Sequence, residues 1–428
     1  MKICIISSSD GRKGGFSAIV RLHRGLRKYG HDSVMLVANK ESHEGCIIEV
    51  DKFKYFLSKF FLYGNKIFCR FFGGNSKAEY YFDKLSISLH SAQGLYKKIP
   101  FKPDVIIVGW VNGFVSSKIL YELSCLTNAP VIWCLMDMAP LTGGCHFSWG
   151  CKRYMEKCGK CRAMNSSSEN DASRKNWERK YKYIKKTNLS VVSATSWLHE
   201  QSKESSIFEG KIKEKIMLSV CENEFQPVLK SVAIKRLGLP DGYKIIYFGA
   251  TTLNDKRKGM EYLFQALDLL SMRLDIREER IVILSAGVGD GKKIGARLHS
   301  DYRHVHLGYL NDDATLALAY QASNLYVCSS VEDSGPIMIN ESLMCGTPVV
   351  AFEVGGAFDL VHSGITGYRA EIKSAESLAA GIEYVLHLSV EEEETMAKQC
   401  REIALKYCSP KVQVNSFNKM FSKVVKKK

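Results

Sequence analysis

Short apolar runs alternate with amphipathic stretches along most of the chain. Parallel strands that are buried on both faces appear as continuous apolar runs, and the stretches between them have the period of a helix. The pattern therefore predicts an α/β fold with doubly wound parallel sheets. The predicted strands are Ile3–Ile6, Ser33–Val37, Val105–Val108, Val131–Leu135, Leu189–Val192, Ile245–Phe248, Ile281–Leu284, Leu325–Val327 and Pro348–Phe352.

The length of 428 residues is enough for two such domains. Residues 223–235 include a proline, have no clear period and separate two series of strands, so we interpret them as a linker. We expect an N-terminal Rossmann-like domain at 1–222, a second at 223–405, and a C-terminal helix at 406–428 that returns to the first domain. Two domains of this kind imply a cleft between them.

The chain carries 60 Lys and Arg against 45 Asp and Glu, a formal charge of +15. Such a charge favours nucleic acid, phosphorylated ligands or an anionic bilayer as partners. The apolar run that opens the chain, Ile3–Ile6, is too short for a secretory leader, and no run approaches the roughly 18 apolar residues of a membrane span. We therefore expect a cytoplasmic protein.

Two glycine-rich turns follow predicted strands. The first contains Gly14 and Gly15 just before a predicted helix, where backbone amides and the helix N-terminus can approach an anion. It is neither a dinucleotide fingerprint nor a P-loop, and a simple tight turn is the alternative. The second contains Lys256, Arg257 and Lys258 before a helix that starts at Met260.

The three cations of the second turn repel one another and gain nothing from the positive end of the helix. A bound anion such as a diphosphate explains them, and a solvated basic turn is the alternative.

Three acidic residues follow the predicted strand Leu325–Val327. Glu332 and Asp333 stand at its carboxyl end, and Glu341 lies in the predicted helix 337–345. Acids at this edge of a parallel sheet face the ligand crevice. Glu341 lies on a mostly apolar helix, where a buried carboxylate needs hydrogen-bond donors, and vicinal sugar hydroxyls are such donors.

The segment 328–367 resembles the retaining glycosyltransferases of family 4, which have the GT-B architecture of two Rossmann-like domains. The resemblance rests on two acids with seven residues between them, Asp333 and Glu341, on the strand entry Cys345–Val350 and on the turn at Gly355 and Gly356. It implies that the protein is a hexosyltransferase using a UDP- or GDP-sugar, and that it needs no divalent cation for catalysis.

The resemblance also implies roles for individual residues. Glu341 would hold the nucleotide ribose, and the first acid would hold the transferred sugar, which leaves open whether Glu332 or Asp333 makes that contact. The backbone that follows the first acid would also hold the transferred sugar. The residues implied to bind the donor in this way, besides the acids, are Gly335, Pro336, Ile337, Lys258, Arg257, Gly14 and Gly15.

The first half of the chain is similar to bacterial exopolysaccharide and O-antigen members of the same family, through Gly14-Gly15, Arg21–Leu26, Trp110 and Thr142–His146. This similarity implies a lipid-linked saccharide acceptor, a role in exopolysaccharide or lipopolysaccharide biosynthesis, and a peripheral position on the inner face of the cytoplasmic membrane. No nucleic-acid partner belongs to this interpretation.

Two positions depart from the family pattern. Met136 stands where relatives have a histidine, directly before the retained candidate catalytic residue Asp137, and Ala250 stands where they have an arginine. His146 could partly replace the missing histidine, and Arg257 the missing guanidinium. A catalytically degenerate partner protein is therefore the rival hypothesis, and a nucleic-acid-binding protein, which the charge and the basic aromatic residues favour, is a third.

A cysteine-rich loop spans residues 142–164. Its residues Cys145, Cys151, Cys158 and Cys161 include a Cys-x-x-Cys pair with the spacing of structural zinc sites. Structural zinc is the favoured interpretation, and a disulfide or free thiols remain open.

Residues 52–72 interleave aromatics with lysines and an arginine. Such a stretch suits a membrane interface, and single-stranded nucleic acid or packing on a sheet are the alternatives. A second basic run at 174–186 could form part of the same lipid-facing surface.

Overall fold

Two parallel β-sheets, one in each of two structural units, form the framework of the chain. The computed structural model describes residues 1–11, 14–58, 60, 89–273 and 279–425. Unit 1 is Met1–Met217 with Val414–Lys428, and unit 2 is Leu218–Gln413. The predicted α/β class with two Rossmann-like parallel-sheet domains is confirmed.

Unit 1 has a seven-stranded sheet. Its strands are β1 (Lys2–Ser9), β2 (Asp32–Asn39), β3 (Ile47–Glu49), β4 (Val105–Val108), β5 (Val131–Leu135), β6 (Leu189–Ser193) and β7 (Ile212–Lys215). Its helices are α1 (Gly15–Lys28), α2 (Ala92–Tyr96), α3 (Ser117–Thr127), α4 (Ala172–Ile184) and α5 (Ser196–Glu204). The strand order is β3-β2-β1-β4-β5-β6-β7, and every neighbouring pair is parallel.

Both faces of this sheet are buried, which explains the continuous apolar runs. Ile3 and Ile5 of β1 belong to one hydrophobic cluster, while Cys4 and Ile6 belong to the other. The last helix of the chain, Pro410–Val424, adds Phe417 to the same cluster as Ile3 and Ile5. The C-terminal helix thus covers part of one face of the unit 1 sheet.

Unit 2 has a six-stranded parallel sheet in the order β10-β9-β8-β11-β12-β13. Its strands are β8 (Lys244–Thr252), β9 (Ile281–Val288), β10 (Arg303–His306), β11 (Leu325–Cys328), β12 (Val349–Phe352) and β13 (Gly367–Ala370). Its helices are α6 (Lys230–Arg236), α7 (Met260–Arg273), α8 (Gly291–Gly295), α9 (Asp313–Gln321), α10 (Ile337–Met344), α11 (Ala357–Leu360), α12 (Ala375–Leu386) and α13 (Val390–Cys408), so that the C-terminal helix is α14. Helix α6 occupies the end of the stretch that we interpreted as a linker.

Each sheet has a topological switch point, where the chain turns from building one side of the sheet to building the other. In unit 1 it lies between β1 and β4, and in unit 2 between β8 and β11. Ligands of open α/β sheets bind outside the carboxyl ends of the strands at such points. The turns that follow these strands are therefore the places where a site is expected.

The aromatic basic stretch is only partly described. Residues 52–58 are helical, with Tyr55 buried and Phe53 and Phe56 exposed, whereas residue 59 and residues 61–72 lie outside the described residues. In the basic run at 174–186, Lys180 is buried while Lys175 and Arg179 are exposed. Among the helices that the structure describes, none combines the length and the apolar character needed to cross a membrane.

Candidate active site

Two turns meet at the switch point of unit 2, one after β8 and one after β11. The Ser329 hydroxyl donates to the backbone oxygen of Lys258 at 2.8 Å, and the Val331 N–H donates to that of Arg257 at 2.7 Å. Gly259, at a φ of 61°, ends the first turn. A Cβ atom on Gly259 would lie 2.0 Å from the Ser329 oxygen. Only glycine permits this approach, which holds Lys258 beside the acidic segment.

We expect Gly259→Ala to lower the free energy of unfolding by about 2–6 kcal/mol, because left-handed strain and overpacking each cost about 1–3 kcal/mol. Urea denaturation of the full chain measures this. Gly238→Ala is the matched control, since Gly238 has a φ of 63° and no neighbouring atom within 4 Å of a Cβ. Equal losses in the two variants would show that the approach to Ser329 is unimportant.

Lys258 and Asp333 form an ion pair at this junction. The Lys258 Nζ lies 2.7 Å from Asp333 Oδ2, and the side chains are 19% and 10% exposed. Burial alone would lower the pKa of Lys258, but the charge of Asp333 outweighs it and holds that pKa above its usual value. Burial would likewise raise the pKa of Asp333, and Lys258 instead holds it below its usual value. Both groups are therefore charged at neutral pH.

The Lys258 ammonium keeps free N–H donors although it pairs with Asp333. An ammonium group has three N–H donors, so Lys258 can bind a phosphate oxygen while it contacts Asp333. Arg257 pairs with Asp255 on the same turn, and its charge also lowers the pKa of Asp333. The structure thus places both predicted diphosphate-binding cations next to one of the predicted sugar-binding acids.

The backbone around Asp333 is tightly fixed. The Gly335 N–H donates to Asp333 Oδ1 at 3.1 Å, and Pro336 is the N-cap of α10, whose first residue is Ile337. Glu332 is buried with 7% exposure, beside the contact of Asp333 with Lys258. Hydrogen bonds therefore join Asp333, Gly335 and Lys258 at one junction.

Glu341, on α10, is only 3% exposed, and a protein hydroxyl satisfies it in part. The Tyr320 OH donates to Glu341 Oε2 at 3.2 Å. The Tyr320 ring packs against those of Tyr247 and Tyr326, with centroids 5.2 and 5.4 Å apart. Burial, and then the charge of Glu341, raises the pKa of Tyr320, which keeps its hydroxyl protonated as a donor.

Tyr320 is a candidate site residue that no sequence motif indicates. It lies on a helix whose local pattern carries no motif, and its place beside Glu341 depends on the packing of α9 against α10. Ala250, the departure at the usual arginine position, is buried in β8.

At the carboxyl edge of the unit 1 sheet, Asp137 accepts hydrogen bonds from three donors. It is 6% exposed and accepts from the Ala139 N–H at 2.8 Å, from the Trp110 Nε1 at 2.9 Å, and from the ring of His146 in a close hydrogen bond. Burial would raise the pKa of Asp137, and the charge of His146 outweighs it and lowers that pKa. The Met138 N–H donates to the backbone oxygen of His146 at 2.8 Å, which closes the loop between them.

Position 136 lacks the histidine of the relatives, but another histidine, His146, contacts the retained Asp137. The sequence suggested His146 as a substitute, and the structure brings it into contact with Asp137. The pairing of the two depends on how the loop folds back, which the spacing of the residues does not determine.

The first glycine turn lies at the same edge. A Cβ on Gly15 would lie 3.0 Å from Met136, and Phe16 packs edge-on against Trp110 with ring centroids 5.3 Å apart. Gly14 has a φ of 52° as the N-cap of α1, and residues 12 and 13 lie outside the described residues.

Asn112 follows β4, the strand that meets β1 at the switch point. It is 4% exposed, and within the described part of the chain neither polar atom of its side chain has a hydrogen-bond partner. A buried amide of this kind is available for a ligand or an ordered water. The edge of the unit 1 sheet therefore offers a second group of polar side chains.

No disulfide joins the four cysteines of the loop 142–164. A hydrogen bond joins the side chains of Cys145 and Cys161, and it lowers the pKa of Cys161 to about 7 while raising that of Cys145. Among the described residues, the one group of three metal-ligand atoms within 4.8 Å of one another is formed by His23, Glu44 and Cys46.

The second half of the chain is similar in sequence to known proteins. Residues 231–403 match the family model of glycosyl transferases group 1. An uncharacterized glycosyltransferase of Methanocaldococcus jannaschii is 31% identical over 161 residues, which are 36% of this chain and 38% of that protein. The chain thus matches well under half the length of this relative. Within unit 2, residues 231–403 are therefore similar to the glycosyl transferases group 1.

Solved structures share the fold over the whole chain. Sucrose-phosphate synthase from Thermosynechococcus elongatus has a TM-score of 0.67 at 17% identity, covering 99% of this chain and 98% of that chain. Anabaena HepE in complex with UDP and glucose has a TM-score of 0.64 at 14% identity, covering 99% of this chain and 100% of that chain. At these identities the likeness concerns the fold, and it agrees with the GT-B architecture.

Proposed function

We propose that the protein is a retaining glycosyltransferase that transfers a sugar from a UDP- or GDP-sugar to a lipid-linked saccharide in surface polysaccharide biosynthesis. The observation that carries the proposal is the Lys258–Asp333 pair with the buried Glu341 on α10, all within the segment that is similar to the glycosyl transferases group 1. The solved structure of HepE, which has the same fold, holds UDP and glucose.

The donor residues act through charge and position. Glu341 accepts hydrogen bonds from the ribose hydroxyls, and Asp333 or Glu332 accepts them from the transferred sugar. Lys258 and Arg257 stabilise the negative charge that develops on the departing diphosphate, so catalysis proceeds without a divalent cation. The bond from the anomeric carbon to phosphate breaks while the bond to the acceptor oxygen forms on the same face. The proton of the acceptor hydroxyl passes to the leaving phosphate oxygen.

Unit 1 provides the acceptor site in this proposal. Asp137 fixes the ring of His146, which can then hydrogen-bond a sugar hydroxyl, and the Asn112 amide offers a further partner. Holding the reacting hydroxyl in place contributes directly to the rate.

We expect His146→Ala to lower kcat about 10²-fold, the order of loss that a misplaced reacting group causes. Steady-state kinetics on donor and acceptor measure it. His43→Ala is the control, since His43 is an exposed histidine of the same unit. Unchanged kcat in His146→Ala would remove this residue from the site.

A peripheral position on the inner membrane face completes the proposal. The exposed Phe53 and Phe56, with cations such as Lys175 and Arg179 on α4, suit an anionic bilayer that carries a lipid-linked acceptor.

The direct experiment incubates the full chain with a panel of UDP- and GDP-sugars and lipid-diphosphate saccharides. Turnover with retained anomeric configuration, seen by NMR of the product, would support the proposal. Stabilisation by a nucleotide in a thermal-shift assay without any turnover would instead favour the degenerate partner. If the protein shows no nucleotide binding and no turnover, both hypotheses are contradicted.

A further inference from the structure

The loop 142–164 carries His146 yet has little regular structure. Its only helical segments are short 3-10 turns at Arg153–Met155 and Arg162–Met164. Side chains of α4 hold it from one side, where Asn176 donates to the Gly143 oxygen at 2.9 Å and Ser173 accepts from the Gly159 N–H at 3.0 Å. Tertiary contacts rather than regular secondary structure therefore hold the loop in place.

Two thiols of this loop are hydrogen-bonded to each other, and two receive backbone donors. Cys145 hydrogen-bonds Cys161, and Cys151 and Cys158 are close enough to act electrostatically on Cys145. The Gly143 N–H donates to Cys158 Sγ at 3.1 Å, and the N–H groups of Ala163 and Met164 donate to Cys161. These hydrogen bonds fix the positions of the Cys158 and Cys161 side chains within the loop.

The segment between the last two cysteines has an unusual backbone. Cys158, Gly159 and Lys160 have φ values of 55°, 102° and 43°. Left-handed residues other than glycine are uncommon, and they persist where the surroundings fix them. Three in succession make a tight turn within a Cys-x-x-Cys pair, the spacing of structural zinc sites.

A buried cation lies beside the thiols. Lys180 of α4 is 1% exposed, donates to the Ala139 oxygen at 2.6 Å and acts electrostatically on Cys158. Four thiolates around Zn²⁺ leave a net negative charge, which a buried ammonium offsets.

We propose that Cys145, Cys151, Cys158 and Cys161 bind one structural Zn²⁺ ion that holds the loop so that His146 stays on Asp137. Binding releases the thiol protons to solvent and draws the four sulfurs to about 2.3 Å from the metal. In the described part of the chain, three ligand atoms lie within 4.8 Å of one another at His23, Glu44 and Cys46 and not among these four sulfurs, so the sulfurs must move together as the ion binds. The site is structural, so it stands whether or not the protein transfers a sugar.

Elemental analysis of the full chain, purified without chelator in the presence of ZnCl₂, tests the proposal. We expect about one zinc per chain in the wild type and at least a tenfold loss in Cys158→Ser and Cys161→Ser. Cys125→Ser is the matched control, since Cys125 is an exposed cysteine of the same unit, and it should keep its zinc. Loss of zinc in Cys46→Ser, with retention in Cys158→Ser, would place the metal at the other group and overturn the proposal.

A second measurement covers variants that fail to fold. Wild-type protein is treated with a chelator and zinc is then restored, with the melting temperature followed throughout. We expect the temperature to fall on chelation and to recover with zinc but not with magnesium, since thiolates select zinc. A wild-type chain that contains no zinc and does not respond to it would also overturn the proposal.

Discussion

Glu341→Ala is expected to reduce sugar transfer by about 10²–10⁴-fold in kcat/KM. Two hydrogen bonds from ribose hydroxyls to a carboxylate contribute about 1.5–3 kcal/mol each, and both are lost. The variant also leaves the Tyr320 hydroxyl without its Glu341 acceptor inside a cluster of buried tyrosines. Initial rates over a range of donor concentrations measure the effect.

The control for this variant is Glu394→Ala, which removes an exposed carboxylate from α13 of the same unit. Circular dichroism and thermal melts of both variants check that the fold survives. Normal transfer by folded Glu341→Ala would show that the donor site has been assigned to the wrong residues.

Lys258→Met is expected to lower transfer by about 10²–10³-fold, because it removes a cation from the place where diphosphate charge develops. It should also reduce the free energy of unfolding by about 2–3 kcal/mol, since it leaves the carboxylate of Asp333 largely buried without its partner. Lys256→Met, at an exposed lysine of the same turn, should change neither quantity appreciably.

The same variant has a signature in its pH dependence. In the wild type the pKa of Asp333 is held below its usual value, so this residue stabilises the fold above its unfolded pKa, and the contribution is lost as the pH falls through the lowered value. Without Lys258, this acid-side loss should shrink or disappear. Urea denaturation at neutral and acidic pH tests it, and identical pH profiles for variant and wild type would contradict the role given to the pair.

The central strands were predictable from sequence because both of their faces are buried. All nine predicted apolar runs are strands, from β1 to β12. The missed strands are β3, β7, β10 and β13, which lie at the sheet edges. Strand β7 reads Ile-Lys-Glu-Lys and β10 reads Arg-His-Val-His, so neither has the apolar run that identifies a central strand. Their pairing comes from the neighbouring strand rather than from their own composition.

The proposed donor residues could be named as a group from the sequence, because they follow neighbouring strands and carry a recognisable spacing. The ion pair between Lys258 and Asp333 could not be predicted from the sequence. These residues lie on separate turns that Gly259 and Ser329 bring together. Tyr320 was missed for a similar reason. The contact of His146 with Asp137 depends on the path of an irregular loop, which has no periodicity to interpret.

A crystal structure of the full chain soaked with UDP tests the central claim most directly. We predict that the diphosphate lies within hydrogen-bond distance of the Lys258 ammonium and that the ribose hydroxyls contact Glu341. Nucleotide bound away from the turns after β8 and β11, with both side chains untouched, would contradict it.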